Sequence, residues 1–215
     1  MFEIEPKIID NFLSKTYHAE ILNLLTSHDF SWSYSDNISF PKEHPNADKN
    51  NNLQDYGFSQ IFWDKGNRRL ESEHSSFITP LIYKIMDTVE CDFILRARAD
   101  MVTWSKDGYI HPAHSDFSDP NISSVFYVNE TDGDTILYNI KPDDAPKDKV
   151  LKEYKRVSPK PNRLLIHSGH FLHSRCSPRK HKNRILINGF YLKRECVDQL
   201  HNMPKHIHDL VIQGQ

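Results

Sequence analysis

Between residues 15 and 27, apolar side chains fall at Ala19, Ile21, Leu22, Leu24 and Leu25 among polar ones, the spacing of an amphipathic helix. Ser14 stands where an N-cap is expected, since its hydroxyl can accept from an orphan N–H of the first turn. Residues 75–89 repeat the pattern with Phe77, Ile78, Leu81, Ile82, Ile85 and Met86, and predict a second helix. The stretch 35–58 is rich in Asn, Asp, Pro and Ser and reads as an irregular loop.

From about residue 92 the texture changes. Short runs of β-branched and aromatic residues alternate with turn signals and predict strands over 93–104, 122–128, 134–140, 150–157, 163–167 and 184–193. Asp132-Gly133 marks a turn between two of them. Ile185-Leu186-Ile187 and Phe190-Tyr191-Leu192 are apolar without alternation, as in strands covered on both faces. Two helices followed by many short strands predict a mainly β chain of the α+β class, a two-sheet β-sandwich or jelly roll braced by N-terminal helices. No internal repeat is present. The expected organisation is one domain over 1–215, with helical support and a loop over 1–90 and a jelly-roll core over 91–200. A tail over 201–215 follows, its His-rich part 201–208 read as a partly exposed helix or tail.

Composition changes this picture little. At 215 residues and 38% hydrophobic the chain can bury a sizeable core, and a formal charge of −2 gives no general pull toward nucleic acid or membrane. No apolar run approaches a membrane span, and Met-Phe-Glu-Ile-Glu-Pro lacks the basic and apolar regions of a signal peptide. Three cysteines, Cys91, Cys176 and Cys196, lack metal-site spacing and suit a reducing cytoplasm better than a disulfide framework or a structural zinc.

The candidate chemistry lies in the histidines. With 13 His and 29 acidic residues in the chain, chance alone gives about two His-x-acid pairs, so such a pair proves little by itself. His18-Ala19-Glu20 falls in a helical pattern, where i and i+2 do not face each other, and reads as solvated helix surface. His114-Ser115-Asp116 lies among strands, where i and i+2 share a face and can offer an imidazole and a carboxylate together. A distant second His would complete the two-His-one-carboxylate set that holds Fe(II) on one face and leaves three positions open. His111, His167, His170 and His173 all compete for that place. Arg184 opens an apolar strand, sharing a face with Leu186, Asn188 and Phe190. A buried Arg needs a partner, either a bound anion or a surface acid at the strand mouth. Arg96 and Arg98 share a face of another strand and either orient an anionic substrate group or form rim salt bridges.

Taken together these landmarks resemble the iron(II)- and 2-oxoglutarate-dependent dioxygenases, in particular the prolyl-4-hydroxylase-like branch with its small bacterial and phage members. The resemblance covers residues 94–193 and rests on Gly108-Tyr109-Ile110-His111-Pro112-Ala113-His114-Ser115-Asp116, Phe126-Tyr127-Val128-Asn129 and Asp132-Gly133-Asp134-Thr135. Asn162-Arg163-Leu164-Leu165-Ile166-His167, His173 and Arg184-Ile185-Leu186-Ile187-Asn188-Gly189-Phe190-Tyr191 complete it. It implies a double-stranded β-helix (cupin-like) fold with His114, Asp116 and His173 as catalytic metal ligands. The family places its distal His in the turn after a strand such as the one His167 closes. His111 or His170 would then orient the ligating rings.

The resemblance further implies that Arg184 pairs with the C5 carboxylate of 2-oxoglutarate, that Tyr127 adds its hydroxyl, and that Trp104 and Tyr109 line the pocket. Two departures stand out. Leu186 replaces the Ser or Thr that many relatives carry two residues after the Arg, and the connection through Pro178, Arg179, Lys180, His181 and Lys182 is longer and more basic; it reads as solvated. The implied activity is hydroxylation of an unactivated C–H bond with release of succinate and CO2, using Fe(II), 2-oxoglutarate and O2, with ascorbate as a supporting reductant. A prolyl residue in a peptide or protein is the expected substrate, followed by a free amino acid or another small molecule. Asp116 disfavours halogenation. Oxidative nucleic-acid demethylation is the enzyme alternative, weakened because the chain from Arg184 reads Arg-Ile-Leu-Ile-Asn and lacks the Arg-x-Asn-x-Thr-x-Arg signature. A non-catalytic or cupin-like metal-binding jelly roll is the other. The expected location is the cytoplasm of a bacterium or of a phage-infected host, and the 35–58 segment is a candidate substrate-covering loop.

Overall fold

The computed structural model describes residues 4–39, 54–64, 72–117, 120–145 and 150–193. Both expected helices form, α1 over Lys15–Thr26 and α2 over Ser75–Val89. The Ser14 hydroxyl accepts from the Tyr17 backbone N–H at 3.3 Å, the N-cap read from the sequence. Helix α2 stops at Glu90, which turns left-handed (φ 52°) so that its N–H returns to the last carbonyls.

Ten strands form among the described residues: β1 Lys7–Ile9, β2 Ser33–Ser35, β3 Gly57–Asp64, β4 Phe93–Thr103, β5 Ile122–Tyr127, β6 Thr135–Leu137, β7 Lys155–Val157, β8 Arg163–Ser168, β9 His173–Arg175 and β10 Asn183–Leu192. The runs expected over 93–104, 122–128, 163–167 and 184–193 form nearly whole, whereas those over 134–140 and 150–157 shrink to the three residues of β6 and β7. Four strands escaped the pattern. β1, β2 and β9 are too short to carry a period, and the residues of β9, His-Ser-Arg, are all polar. β3 begins inside the stretch read as a loop: Ser35 and Gly57-Phe58 are strand, and residues 40–53 lie outside the described residues. Its eight residues are held by pairing with β4 rather than by local preference. The 201–208 stretch and Cys196 also lie outside the described residues.

Seven strands make an antiparallel sheet in the order β1-β8-β5-β10-β4-β3-β2, and three make a smaller one, β7-β6-β9. Two antiparallel sheets packed face to face are the jelly-roll arrangement expected from the sequence. Register assigns the large sheet two very different faces. On one, Ala97, Ala99, Phe126, Leu164, Ile166, Ile185 and Ile187 join Ile21 and Leu25 of α1 and Ile78, Leu81, Ile82 and Ile85 of α2 in a single dry core. His18 belongs to this packing and corrects the solvated reading: its Nε2 meets the Val128 carbonyl at 2.7 Å and its ring lies edge-on to Phe126. The other face looks toward the small sheet, with Val125, Tyr127, Leu165 and Leu186 packed on Val157 of β7. None of the helices among the described residues is long and apolar enough to cross a membrane.

Candidate metal centre

The segment carrying His114 runs beside β9 and makes an antiparallel bridge with it. The His114 N–H donates to the His173 carbonyl at 3.0 Å and the His173 N–H to that of His114 at 2.9 Å. Residues paired this way present their side chains together, and the two rings lie 4.8 Å apart between centroids. Asp116, two residues on, places Oδ2 at 3.3 Å from His173 Nε2. One donor atom from each of His114, Asp116 and His173 lies within 4.8 Å of the others, and no further His, Cys, Asp or Glu of the described residues joins them.

The donor set is preset in its chemistry. His114 Nδ1 lies 3.0 Å from the Pro112 carbonyl and His173 Nδ1 3.3 Å from that of Phe171. A carbonyl can only accept, so with a cation in the site each Nδ1 would carry the proton and each Nε2 would offer its lone pair. Backbone carbonyls two residues upstream therefore orient these rings, the role expected of His111 or His170. Burial, with the charges of His173 and Arg175 behind it, holds His114 well below the ordinary imidazole range and keeps it neutral. Burial alone would push Asp116 up, but the contact with His173 and the guanidiniums of Arg96 and Arg98 outweigh it. The carboxyl lies well below its usual range and stays ionised. Two imidazoles and a carboxylate suit a divalent transition metal such as Fe(II).

These residues open into a cleft between the two sheets, lined also by Arg98, Thr135, His167, Arg175, Arg184 and Phe190. Arg184 is 2% exposed. Its Nε donates to the Gly133 carbonyl and one terminal nitrogen to the Thr135 hydroxyl, both at 2.7 Å, and its guanidinium lies over the Tyr127 ring. All three partners are neutral, and no carboxylate among the described residues forms an ion pair with it. The Tyr127 hydroxyl meets the same Thr135 oxygen at 2.6 Å. Gly133 is required for this approach, because a Cβ there would stand 2.4 Å from the Cys176 carbonyl and 2.8 Å from Arg184 Cδ.

The other candidates are placed differently. Trp104 and Tyr109 are not brought to the cleft. Trp104 follows the end of β4, is exposed, and donates from Nε1 to the Arg179 carbonyl at 2.8 Å. Tyr109 packs edge-on against His111, outside the lining. His111 is buried between Asp55 (2.6 Å) and the Ser177 hydroxyl (3.1 Å), and its pKa falls to about 4 through burial, against the pull of Asp55. His170 lies against Phe171, while His167 lines the cleft beside His173, 5.2 Å away between rings, and burial lowers its pKa to about 3. The basic 178–182 connection is partly solvated and also pinned: Asp132 accepts from the Arg179 and Lys180 N–H groups and from His181.

Thr135, Arg175, Asp100 and Asn188 were not singled out from sequence. Thr135 supplies a hydroxyl beside Arg184 where Leu186 cannot. Arg175, two residues past His173, donates to the Ile38 carbonyl at 3.0 Å and lies 3.3 Å from His114 Nε2. Asp100 binds Arg98 along its own strand (3.0 Å) and Asn188 across to β10 (2.5 Å), and even-numbered parity on β4 and β10 was the signal that could have found both.

No family model matches the chain, and none of the curated proteins is similar to it in sequence. Solved structures are similar in fold. An oxidoreductase of the 2OG-Fe(II) oxygenase family from Burkholderia pseudomallei is 13% identical, with a TM-score of 0.57 over 87% of this chain and 84% of that one. A Trichoplax adhaerens prolyl hydroxylase, in complex with a peptide fragment of the hypoxia inducible factor oxygen degradation domain, is 17% identical, with a TM-score of 0.55 over 88% and 84%. The epimerase SnoN in complex with Fe3+, alpha ketoglutarate and nogalamycin RO is 11% identical, with a TM-score of 0.55 over 87% and 78%. At these identities the likeness establishes the fold.

Proposed function

We propose that this chain is an Fe(II)- and 2-oxoglutarate-dependent dioxygenase that hydroxylates an unactivated C–H bond. The observation that carries the reading is Arg184, a buried cation with only neutral partners, lining the same cleft as the His114, Asp116 and His173 donors. An isolated buried charge is costly, and a bound carboxylate removes that cost with charge-assisted hydrogen bonds. 2-Oxoglutarate has a carboxylate at each end and a keto oxygen beside one of them, so it can meet a metal and an arginine at once.

In this reading His114, Asp116 and His173 hold the metal, and Arg184 receives the distal carboxylate with the Thr135 and Tyr127 hydroxyls beside it. The bound metal would supply oxygen activation coupled to the breakdown of 2-oxoglutarate to succinate and CO2. The protein's own part is orientation. The carbonyls of Pro112 and Phe171 fix the imidazoles, Arg96 holds the outer oxygen of Asp116 (2.6 Å), and apolar Val125, Leu186 and Phe190 line the space where oxygen must be kept from bulk water. Hydroxylation of a prolyl residue is the substrate reading that the resemblance and the Trichoplax adhaerens likeness support. The epimerase likeness shows the same fold carrying another reaction, so the outer cleft has to decide the substrate.

Calorimetric titration of Fe(II) under nitrogen, then of 2-oxoglutarate, followed by an assay for succinate in air, tests the assignment. Asp116→Ala should lose metal binding by more than the roughly 10–100-fold typical of an orienting partner. Arg184→Met should keep the metal and bind 2-oxoglutarate about tenfold or more weakly. Metal affinity unchanged in Asp116→Ala, or cosubstrate affinity unchanged in Arg184→Met, would overturn it.

A further inference from the structure

The metal donors sit between two spaces. The inner cleft contains Arg184; an outer one opens on the far side of Asp116, toward residues 35–39 and β3, and His114, Asp116 and Arg98 line both. Arg96 lines only the outer space. We infer that the substrate carries a carboxylate, received in the outer cleft by Arg96 with Arg98 beside it, so that this site acts on a short free acid rather than on an internal residue of a peptide. The inference rests on the dioxygenase reading and goes beyond it by naming the substrate class.

Three observations carry it. The first is the state of Arg96. One terminal nitrogen holds Asp116 Oδ1 at 2.6 Å, the oxygen turned away from His173, so the pair survives when the other oxygen serves a metal. Its Nε is buried and has no hydrogen-bond partner among the described residues. The fork therefore has N–H groups left for a ligand. The second is its rigidity. The guanidinium lies against the rings of Phe117 (5.1 Å) and Phe190 (4.8 Å), which fix its plane before anything binds. A preset planar fork suits the two parallel hydrogen bonds of a carboxylate.

The third is charge. Four guanidiniums surround the two spaces: Arg96, Arg98, Arg175 and Arg184. Four carboxylates lie near them: Asp116, Asp100 bound to Arg98, Asp64 opposite Arg96 in the strand register, and Asp55 bound to Ser39 of the outer lining. A divalent metal and dianionic 2-oxoglutarate cancel each other, and the outer space itself is lined by two guanidiniums, Arg96 and Arg98, against the single carboxylate of Asp116. A neutral prolyl residue leaves that lining unanswered; a monocarboxylate supplies the second anion. Because Arg96 touches a metal ligand, an acid gripped there has its reactive carbon only a short distance along the molecule from the carboxylate.

The test uses the full chain loaded with redox-inert Zn(II) and saturated with 2-oxoglutarate. Calorimetry measures its affinity for free L-amino acids and simple aliphatic acids, each against its carboxamide, and for proline-containing peptides with free and with amidated C-termini. At least one short acid should bind about tenfold or more tightly than its amide, the value of a charge-assisted pair. That preference should vanish in Arg96→Gln and return in part in Arg96→Lys, each measured at saturating Zn(II) and 2-oxoglutarate, because loss of the Arg96 contact with Asp116 by itself weakens metal binding by roughly 10–100-fold. Peptides should bind only when their C-terminus is free, and more weakly than the best short acid. Acids and amides bound alike, a preference kept in Arg96→Gln, or tightest binding by an amidated peptide would overturn the inference. Titration of Zn(II) and 2-oxoglutarate comes first. Failure there sinks the dioxygenase reading itself, whereas success there with no acid preferred sinks only the substrate class.

Discussion

The two faces of the seven-stranded sheet are made by the same strands and differ only in the parity of their residues. Facing the helices, β4 presents Ala97 and Ala99, β10 Ile185 and Ile187, and β5 Phe126. Facing the small sheet, the same strands present Arg96, Arg98 and Asp100, then Arg184, Asn188 and Phe190, then Ser123, Val125 and Tyr127. A shift of one residue would exchange the two sets. The first face gains free energy from burial wherever its side chains fit. The second holds buried cations that gain only when something answers their charge. Stability and function are thus separated by one strand parity, and substitutions on the two faces should fail in different ways.

The largest contrast is between Phe126→Ala and Arg184→Met, whose sites lie back to back on neighbouring strands. Phe126 is fully buried against Phe12 and His18, and its truncation should cost about 3–5 kcal/mol in urea denaturation. Metal and 2-oxoglutarate affinity should hold in the fraction still folded. Arg184→Met removes a charge that no described carboxylate pairs and replaces it with an apolar chain of similar length. Stability should stay level or rise while cosubstrate affinity drops. A large stability loss in Arg184→Met would mean that Gly133 and Thr135 already satisfy the guanidinium, and the division between the faces would break down.

That division also explains what could be read from the chain. The dry face was legible because burial writes itself as period: Ile78, Leu81, Ile82 and Ile85 mark a helix and Ile185–Leu186–Ile187 a covered strand. The His114/Asp116 pair was legible for the same reason, since i and i+2 share a face. The rest of the cleft depends on pairings between distant segments. β9 is three polar residues with no pattern, and only its bridge to the His114 segment brings His173 to Asp116. Thr135 gains its place from β6 pairing with β9, and β3 from β4. Trp104 misled because its parity on β4 is right but the strand ends one residue before it.

A second, smaller difference between the faces concerns pH. The dry face is almost wholly apolar away from His18, so a truncation at its centre such as Ile187→Ala should lower stability about evenly at every pH. On the other side His111 is buried against Asp55 and Ser177, and its folded pKa is lowered from 6.5 to about 4. Between those two values the unfolded chain binds a proton that the folded chain does not. The stability from neutral His111 is therefore complete above about pH 6.5 and is lost as pH falls toward 4, by about 3 kcal/mol at most. His111→Gln keeps hydrogen-bonding capacity but cannot titrate, so its denaturation free energy should fall less steeply than the parent's from pH 7 to pH 4.5. Parallel pH curves for the two proteins would refute this.

The smallest effect should come from Thr135→Val, and it sharpens the comparison most. Thr135 Oγ1 is shared by Arg184 (2.7 Å) and Tyr127 (2.6 Å), at the end of the cleft where Leu186 offers no hydroxyl. Valine keeps the shape of threonine and leaves two buried polar groups with one partner fewer, which costs about 1 kcal/mol in the unliganded protein. If Thr135 serves only to hold Arg184 and Tyr127, 2-oxoglutarate should recover most of that loss by bonding to both, and its affinity should hold or rise. If the Thr135 hydroxyl touches the ligand, affinity should fall by about fivefold or more, as for the loss of one direct neutral hydrogen bond. The direct contact is the expected result, because Thr135 lines the cleft while Tyr127 reaches it only through Thr135. A double-mutant cycle with Arg184→Met would complete the test. Coupling between the two residues in cosubstrate binding would make them one carboxylate site, and simple additivity would leave Thr135 as a packing residue of the small sheet.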